Sequence, residues 1–291
     1  MVDSAVFTRH RRLLFDVAYR MTGSVADAED LVQEAWLRWS ATDESTVANP
    51  RAYLVRTITN LSLNQLTSAR ARREAYVGPW LPEPLLTQPD SSQEAEMAES
   101  ISMAMLVILE TLTPVERAVF VLHEVFGYAH GEIADILGKS EVAVRQTATR
   151  ARAHVAARRP RFDTDDRVRA AAADRFRAAC AGGDLNAMME LLAPDVVLWS
   201  DGGGIVTAAR RPLVGADHVA RWMLGVMRKP ESAAAEFGAA LVNGEPAIVG
   251  YYGDQPIGTI HVEVTDGKIT AVRMVVNPEK LAGLRRPDPE S

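Results

Sequence analysis

The stretch GYAHGEIADILGKSEVAVRQTATRARAHV, residues 127–155, decides how the chain is read. Residues Ile133 to Leu137 carry an apolar helical repeat, Gly138 breaks it, and Ser140 caps a second helix, which is the grammar of a helix-turn-helix. The second helix turns Ala143 and Val144 inward and leaves Ser140, Arg145, Gln146, Thr149, Arg150 and Arg152 outside. Arginine and glutamine carry forked donors and acceptors that match guanine and adenine edges in the major groove, while neighbouring cations neutralise phosphates. A charged helix face is also what any solvated helix presents, so the reading needs support from the rest of the chain.

Charge distribution supplies some of it. The 291 residues carry a formal net charge of -6, yet residues 139–159 hold six Lys or Arg against the single acid Glu141. Residues 51–73 hold five arginines (Arg51, Arg56, Arg70, Arg72 and Arg73) and no acid. Electrostatic footprints are local, so an acidic total does not exclude nucleic acid. Trp39 and Tyr53 add stacking faces beside the second basic run, the combination that holds unpaired bases. Each aromatic taken singly fits a core position as well.

Outward from the helix-turn-helix, helical periodicity runs from Ala5 to Ala75 with polar breaks at 22–24 and 41–49, and resumes near Glu94. Thr113, Pro114 and Glu116 place a cap, a first-turn proline and a capping-box acid in register. Residues 77–93, VGPWLPEPLLTQPDSSQ, hold four prolines and form an extended connector too apolar to float free. Beyond Pro160 helices are expected at 164–181, 185–192 and 215–227. Strand-like runs then include VVLWS, GIVTAA, AAEFGAALVN, AIVGYY, GTIHVEVT and ITAVRMVVN. A length of 291 residues fits several compact units better than one.

Several separated stretches resemble one family. GSVADAEDLVQEAWLRW (23–39) is similar to the region 2 helix of sigma-70 family factors that docks on RNA polymerase. NPRAYLVRTITNLSLNQLTSARARRE (49–74) resembles the promoter-melting helix, and LTPVERAVFVLHEVFGYAHGEIADILGKSEVAVRQTATRAR (112–152) resembles region 4. The order, with no region 3 between, is that of extracytoplasmic-function (ECF) sigma factors. Where the family commonly carries Asp in an NLxxD pattern, this chain reads Asn60, Leu61, Ser62, Leu63, Asn64. WLPEP (80–84), DGGG (201–204) and NPEKL (277–281) resemble the subclass with a fused SnoaL-like, NTF2-like cone.

The resemblance implies a multidomain fold: two all-α sigma domains followed by an α+β NTF2-like cone. The expected boundaries are region 2 at 1–76, a Pro-rich linker at 77–96, region 4 at 97–160 and the cone at 164–285. It implies polymerase contacts from Asp27, Asp30, Leu31, Glu34 and Trp36, made to the beta-prime and beta subunits of core RNA polymerase. Minus-10 promoter DNA falls to Trp39, Asn49, Arg51, Tyr53, Arg56 and Asn60, with the 41–50 loop capturing a flipped base. Minus-35 DNA falls to Ser140, Arg145, Gln146, Thr149 and Arg150. Trp80, Leu81, Pro82, Asp201, Gly202, Gly203, Gly204, Asn277, Pro278, Lys280 and Leu281 lie at a regulatory contact that replaces a separate anti-sigma factor. A plain hairpin turn at 201–204 and a capped terminus at 277–281 are the simpler alternatives.

Relatives of the cone include isomerases and cyclases, which makes Asp195, Asp201, His218 and His261 the candidate proton shuttles. None sits in a motif that specifies chemistry, and acid–base catalysis needs two groups converging on one substrate. A small ligand in a pocket lined by Trp199, Trp222 and Tyr251 is the more economical use of a cone. No phosphate loop, zinc constellation or nucleophile motif is present, so neither cofactor nor metal is expected. The lone Cys180 reads as a small core residue in a reducing compartment, and the charged N-terminal segment is neither signal peptide nor anchor, pointing to a cytoplasmic protein. A ligand-sensing helix-turn-helix regulator independent of polymerase remains the rival; it accounts for 127–155 and leaves 23–74 without a purpose.

Overall fold

The computed structural model describes residues 4–87, 101–158 and 165–284, with the backbone alone for residue 4 and residues 69–74. The side chains of Arg70, Arg72 and Arg73, and the helical start expected near Glu94, therefore lie outside the described residues. Two compact units emerge. Of the described residues, the first holds 4–75 and 105–158, and the second holds 76–87, 101–104 and 165–284.

In the first unit, α1 (Ser4–Thr22), α2 (Val25–Ser40) and α3 (Pro50–Glu74) pack on one another. Leu14, Val17, Ala28, Val32, Leu54 and Ile58 interdigitate at spacings of three and four. Ser24 caps α2 by accepting the Asp27 amide, and Asn49 Oδ1 accepts the Ala52 amide at the start of α3. After α4 (Met103–Leu109), the capping box expected at Thr113 and Glu116 opens α5 (Pro114–Phe120), which runs on as a π-helical segment at Val121–Val125. The helices α6 (His130–Leu137) and α7 (Glu141–Arg158) complete the helix-turn-helix, with Gly138 at φ +63 in the turn.

The regions expected as two sigma domains cluster in this structure as one helical unit. The Arg117 guanidinium links them: buried after α5 begins, it donates to the Met21 carbonyl at 2.6 Å and to Glu110 at 2.7 Å. Helices α3 and α6 also pack directly. Arg51 of α3 stands 5.8 Å from the Tyr128 ring, a cation–π distance.

The second unit begins with α8 (Asp166–Gly182) and α9 (Leu185–Leu191), followed by β1 (Leu192–Asp201), β2 (Leu213–Val214), α10 (Ala216–Met227) and the one-turn α11 (Pro230–Ala233). Strands β3 (Glu236–Val242), β4 (Glu245–Tyr252), β5 (Gln255–Thr265) and β6 (Lys268–Val275) complete a sheet of order β2-β1-β6-β5-β4-β3. All neighbouring pairs are antiparallel except β1 with β6. Val196, Leu198, Ile260, Val262, Val272 and Met274 face α8, α9 and α10 in a single core, where Cys180 also lies.

One expectation needs correction. GIVTAA (204–209) is not a strand: Gly203 and Gly204 take φ of +63 and +75, and the Ile205 amide turns back to Gly202 O at 3.0 Å. A left-handed pair redirects the chain before β-branched residues can join a ladder. The connector at 77–96, expected to be too apolar to float free, belongs over 77–87 to the sheet unit. Leu86 bridges Val242, the Asn243 amide donates to Leu85 O at 2.8 Å, and the Leu86 amide donates to Gly283 O at 3.0 Å.

Candidate nucleic-acid interface and motif junction

The face of α7 is built by a simple division of residues. Val144, Thr147, Ala148, Ala151 and Val155 are buried against the rest of the unit, which leaves Ser140, Arg145, Gln146, Thr149 and Arg150 exposed. Ser140 Oγ accepts the Ala143 amide, so this residue is fixed as the cap. Arg145 is paired with Glu141 one turn earlier, and Val142 beside them is an exposed apolar residue that the sequence reading passed over. Arg150 approaches Glu116 of α5 at 3.9 Å, and Arg152 approaches Glu124 at 3.7 Å.

The residues assigned to the minus-10 element divide differently. Asn49, Arg51 and Arg56 are exposed, and Tyr53 and Asn60 are half-buried. Tyr53 shares a hydrogen bond with Thr42 at 3.0 Å, tying α3 to the loop after α2. Trp39 is a correction. Its ring is wholly buried and lies 5.7 Å from Tyr53, so it is a core side chain with no face left for a base.

On α2, Asp30 is exposed, while Glu34 and Trp36 are half-buried. Glu34 pairs with Arg38 at 3.0 Å, and Trp36 meets Phe7 edge-on at 5.1 Å. Asp27 accepts from Gln65 Nε2 at 2.8 Å, an internal tie between α2 and α3. Leu31, which the resemblance gives to polymerase, is buried with Ala28 and Ala35 on the inward stripe of the helix, where its spacing puts it. Exposed Leu37 is the apolar residue that α2 does present to solvent.

The three short motifs of the second unit meet at one buried ion pair. Asp201, at the end of β1, has no solvent exposure. Its Oδ2 accepts from Lys280 Nζ at 2.8 Å and from the Leu81 amide at 2.8 Å. Its Oδ1 accepts from Tyr76 OH at 2.6 Å and from the Gly203 amide at 3.1 Å. Lys280 donates also to Leu81 O at 2.6 Å and lies over the rings of Trp80 (4.1 Å) and Tyr76 (4.8 Å).

Asn277 closes the arrangement by donating to Tyr76 OH at 2.9 Å and accepting the Glu279 amide, which caps the turn Pro278–Lys280. Pro82 is buried beside Leu81. A side chain on Gly203 would bring its Cβ to 2.4 Å from Asn277 Nδ2, and one on Gly202 to 2.7 Å from Val206 O, so both positions require glycine. Burial of the Tyr76 phenol, reinforced by its bond to Asp201, holds its ionisation far above the usual range. Tyr76 was not singled out from sequence, because its partners lie 125 and 201 residues away.

A cavity of about 510 Å³ opens in the same unit, lined by Val226, Phe237, Ile248, Ile257, Met274 and others. Trp199, Trp222 and Tyr251 do not line it, a further correction. Trp199 sits with Arg273 at 5.1 Å, Trp222 packs on the core, and Tyr251 donates to Leu284 O at 2.9 Å. For Trp199 strand alternation is the reason: it and the core residue Leu198 face opposite ways. His261 also lies off the cavity, beside Thr259 and Arg273, with burial and then Arg273 pushing its pKa down to about 3. Asp195 and His218 are exposed.

Comparison with known proteins joins these parts. Residues 6–72 match the family model of Sigma-70 region 2, residues 102–155 that of Sigma-70, region 4, and residues 173–273 that of the SnoaL-like domain. The chain is 42% identical to the ECF RNA polymerase sigma factor SigJ of Mycobacterium tuberculosis (strain ATCC 25618 / H37Rv), over 97% of this chain and 94% of that protein. It is 31% identical to the probable ECF RNA polymerase sigma factor SigI of Mycobacterium tuberculosis (strain CDC 1551 / Oshkosh), over 97% and 96%. The crystal structure of Mycobacterium tuberculosis SigJ superposes with a TM-score of 0.75 at 38% identity, covering 97% of this chain and 99% of that one.

A helix-turn-helix regulator independent of polymerase is not favoured, since the resemblance takes in α1 to α3 as fully as α6 and α7. The chain belongs to the ECF RNA polymerase sigma factors, the dissociable subunits that direct promoter-specific transcription initiation, in the form that carries a C-terminal SnoaL-like domain.

Proposed function

We propose that α7 reads the minus-35 element through Arg145, Gln146, Thr149 and Arg150, with Ser140 at its cap. The exposed outer face of α7 carries this reading: its polar side chains are free of the packing that holds Val144 and Ala148 inward. Asn49 at the start of α3, and Arg51, Tyr53, Arg56 and Asn60 along it, engage the minus-10 element. On α2, Asp30, Glu34 and Trp36, with Asp27 behind them, meet the basic surface of core polymerase. The expected divisions at 1–76, 97–160 and 164–285 remain the working boundaries for truncation.

The second unit acts as a resident regulator in place of a separate anti-sigma factor, with the Asp201–Lys280 junction setting the placement of the connector that leads from α3. A small ligand in the cone is the natural signal. The cavity serves binding rather than turnover, because its ionisable lining groups are only the half-buried Lys229 just before α11 and the exposed Glu231 within it. The setting is the cytoplasm, where core polymerase works; among the described residues no helix is long and apolar enough to cross a membrane.

The test is transcription by purified core RNA polymerase on a candidate promoter. Transcript should depend on this chain, and Arg145→Ala with Arg150→Ala should reduce it by about 10-fold or more, since each good base contact contributes about 1–3 kcal/mol of discrimination. Removal of residues 160–291 should change the yield. DNA binding without polymerase association would overturn the sigma assignment for these residues, and an unchanged yield after truncation would overturn the regulatory one.

A further inference from the structure

The cavity and the motif junction share a wall. Ile205, Val206 and Thr207, which line the cavity, follow directly on Gly202–Gly204, the loop that Asp201 and Asn277 hold down. At the other end, the turn after β6 is two-sided. Asn277 and Lys280 point to Asp201 and Tyr76, while Pro278 and Leu281 line the cavity. The same few residues form the seat of the ion pair and part of the chamber.

The chemistry of the chamber narrows its occupant. Phe237, Ile248, Ile257, Ile260, Met223 and Met274 give apolar walls. The Phe237 ring lies directly on Gly250, where a Cβ would come within 2.7 Å of it. Charge enters only with the half-buried Lys229 and the exposed Glu231, which are opposite in sign. A volume of about 510 Å³ lies within the range of sites that enclose drug-sized molecules. A charged body would lose its hydration there and find few polar partners, chiefly Thr207, Ser232, Thr259 and the two opposed charges.

We propose that the cone takes up a neutral, predominantly hydrocarbon ligand, and that its occupancy and the Asp201–Lys280 junction stabilise one another through the 278–281 turn they share. The ligand gains the contacts of Pro278 and Leu281 only when the turn is seated, and the turn is seated when Lys280 is paired. Coupling of this kind is reciprocal: whatever the junction adds to ligand affinity, the ligand adds to the junction. The inference rests on the reading of this junction as the regulatory element, and it names the signal that reaches it.

The test titrates the full chain with N-phenyl-1-naphthylamine, a neutral apolar fluorophore. Saturable binding of one probe per chain is expected. Val206→Asp at the exposed edge and Val226→Trp within the wall should each weaken it about 10-fold or more, the first without burden on the core. Lys280→Met should weaken binding about fivefold and the gentler Tyr76→Phe about twofold. Saturating probe should slow hydrogen exchange of the Leu81 amide, which donates to Asp201.

Absence of saturable binding, or binding indifferent to both cavity variants, overturns the site. Equal affinity in Lys280→Met and Tyr76→Phe, with unchanged Leu81 exchange, overturns the coupling. Transcription by the full chain and by the chain lacking residues 160–291, scored in parallel, separates the two readings: a yield that changes on truncation without probe binding removes this inference and leaves the regulatory reading, and saturable binding with an unchanged yield removes the regulatory reading and with it the signalling role proposed here.

Discussion

The face of α7 and the Asp201 junction both pair carboxylates with cations, yet they stand at opposite extremes of solvation. The Arg145 side chain is 65% exposed in its pair with Glu141, whereas Lys280 and Asp201 are 8% and 0% exposed. In water an ion pair contributes little, because solvent screens it and two long side chains lose freedom. In a dry site each charge has lost its hydration, and the pair persists only if every remaining donor and acceptor finds a partner. Asp201 meets that condition with four donors: Lys280, the Leu81 amide, Tyr76 and the Gly203 amide. Exposed charge remains available to a partner molecule; buried charge is committed to architecture.

The sharpest way to break the comparison is to remove a charge from each side. Asp201→Ala strands the Lys280 ammonium without its carboxylate, and breaking a buried pair in this way costs about 3–5 kcal/mol. Chemical unfolding followed separately in each unit should show the loss in the sheet unit, with the helical unit unfolding as before. An equal loss in both would mean that Asp201 supports more than its own junction. A loss below about 1 kcal/mol would place the pair among solvated ones.

Glycine at 203 comes next. Its φ of +63 is unfavourable for a side chain, and the new methyl would press on the Asn277 amide, itself held by Tyr76. Gly203→Ala should therefore lower the stability of the sheet unit by about 2 kcal/mol. Thermal unfolding checks it, and Gly183→Ala is the reference: it has φ +65 with open space around the Cβ. An equal shift in both variants would reduce the role of Gly203 to backbone conformation alone.

What could be read from the sequence follows the same division. Periodicity disclosed α2, α3 and α7, since a helix repeats its inward stripe every three or four residues and leaves the rest to solvent. The same stripe holds Trp39 and Leu31 inward, and it was the resemblance, not the periodicity, that gave them to DNA and polymerase. In the sheet, alternation gave β1 and β5 but not which face meets the cavity, so Trp199 and Tyr251 were assigned to a chamber they do not enter; Trp222, on α10, was misassigned because helix spacing gives an inward stripe but not what that stripe meets. Ile205, Val206 and Thr207 have the composition of a strand and are kept from one by the glycines before them. The motifs at 80–84, 201–204 and 277–281 were visible as motifs, but the ion pair joining them closes over 79 residues, and the bonds of Tyr76 and Leu81 to it over more than a hundred.

The smallest effect tests the exposed side. Glu141 and Arg145 are one turn apart on α7, and such pairs stabilise a helix by about 0.3–0.5 kcal/mol at low salt. Glu141 also stands in the first turn, where a negative charge complements the helix dipole, adding a contribution of similar size. Glu141→Gln should therefore lower stability of the helical unit by under about 1 kcal/mol, and salt at 1 M should erase most of the difference between the variant and the parent. The same substitution releases the Arg145 guanidinium and removes a negative charge from a face read as meeting phosphate. Promoter affinity should rise as stability falls slightly, with a steeper salt dependence of binding. If affinity falls instead, Glu141 is holding Arg145 in its reading position, and the exposed pair has taken on some of the fixed geometry that the buried one obtains from its surroundings.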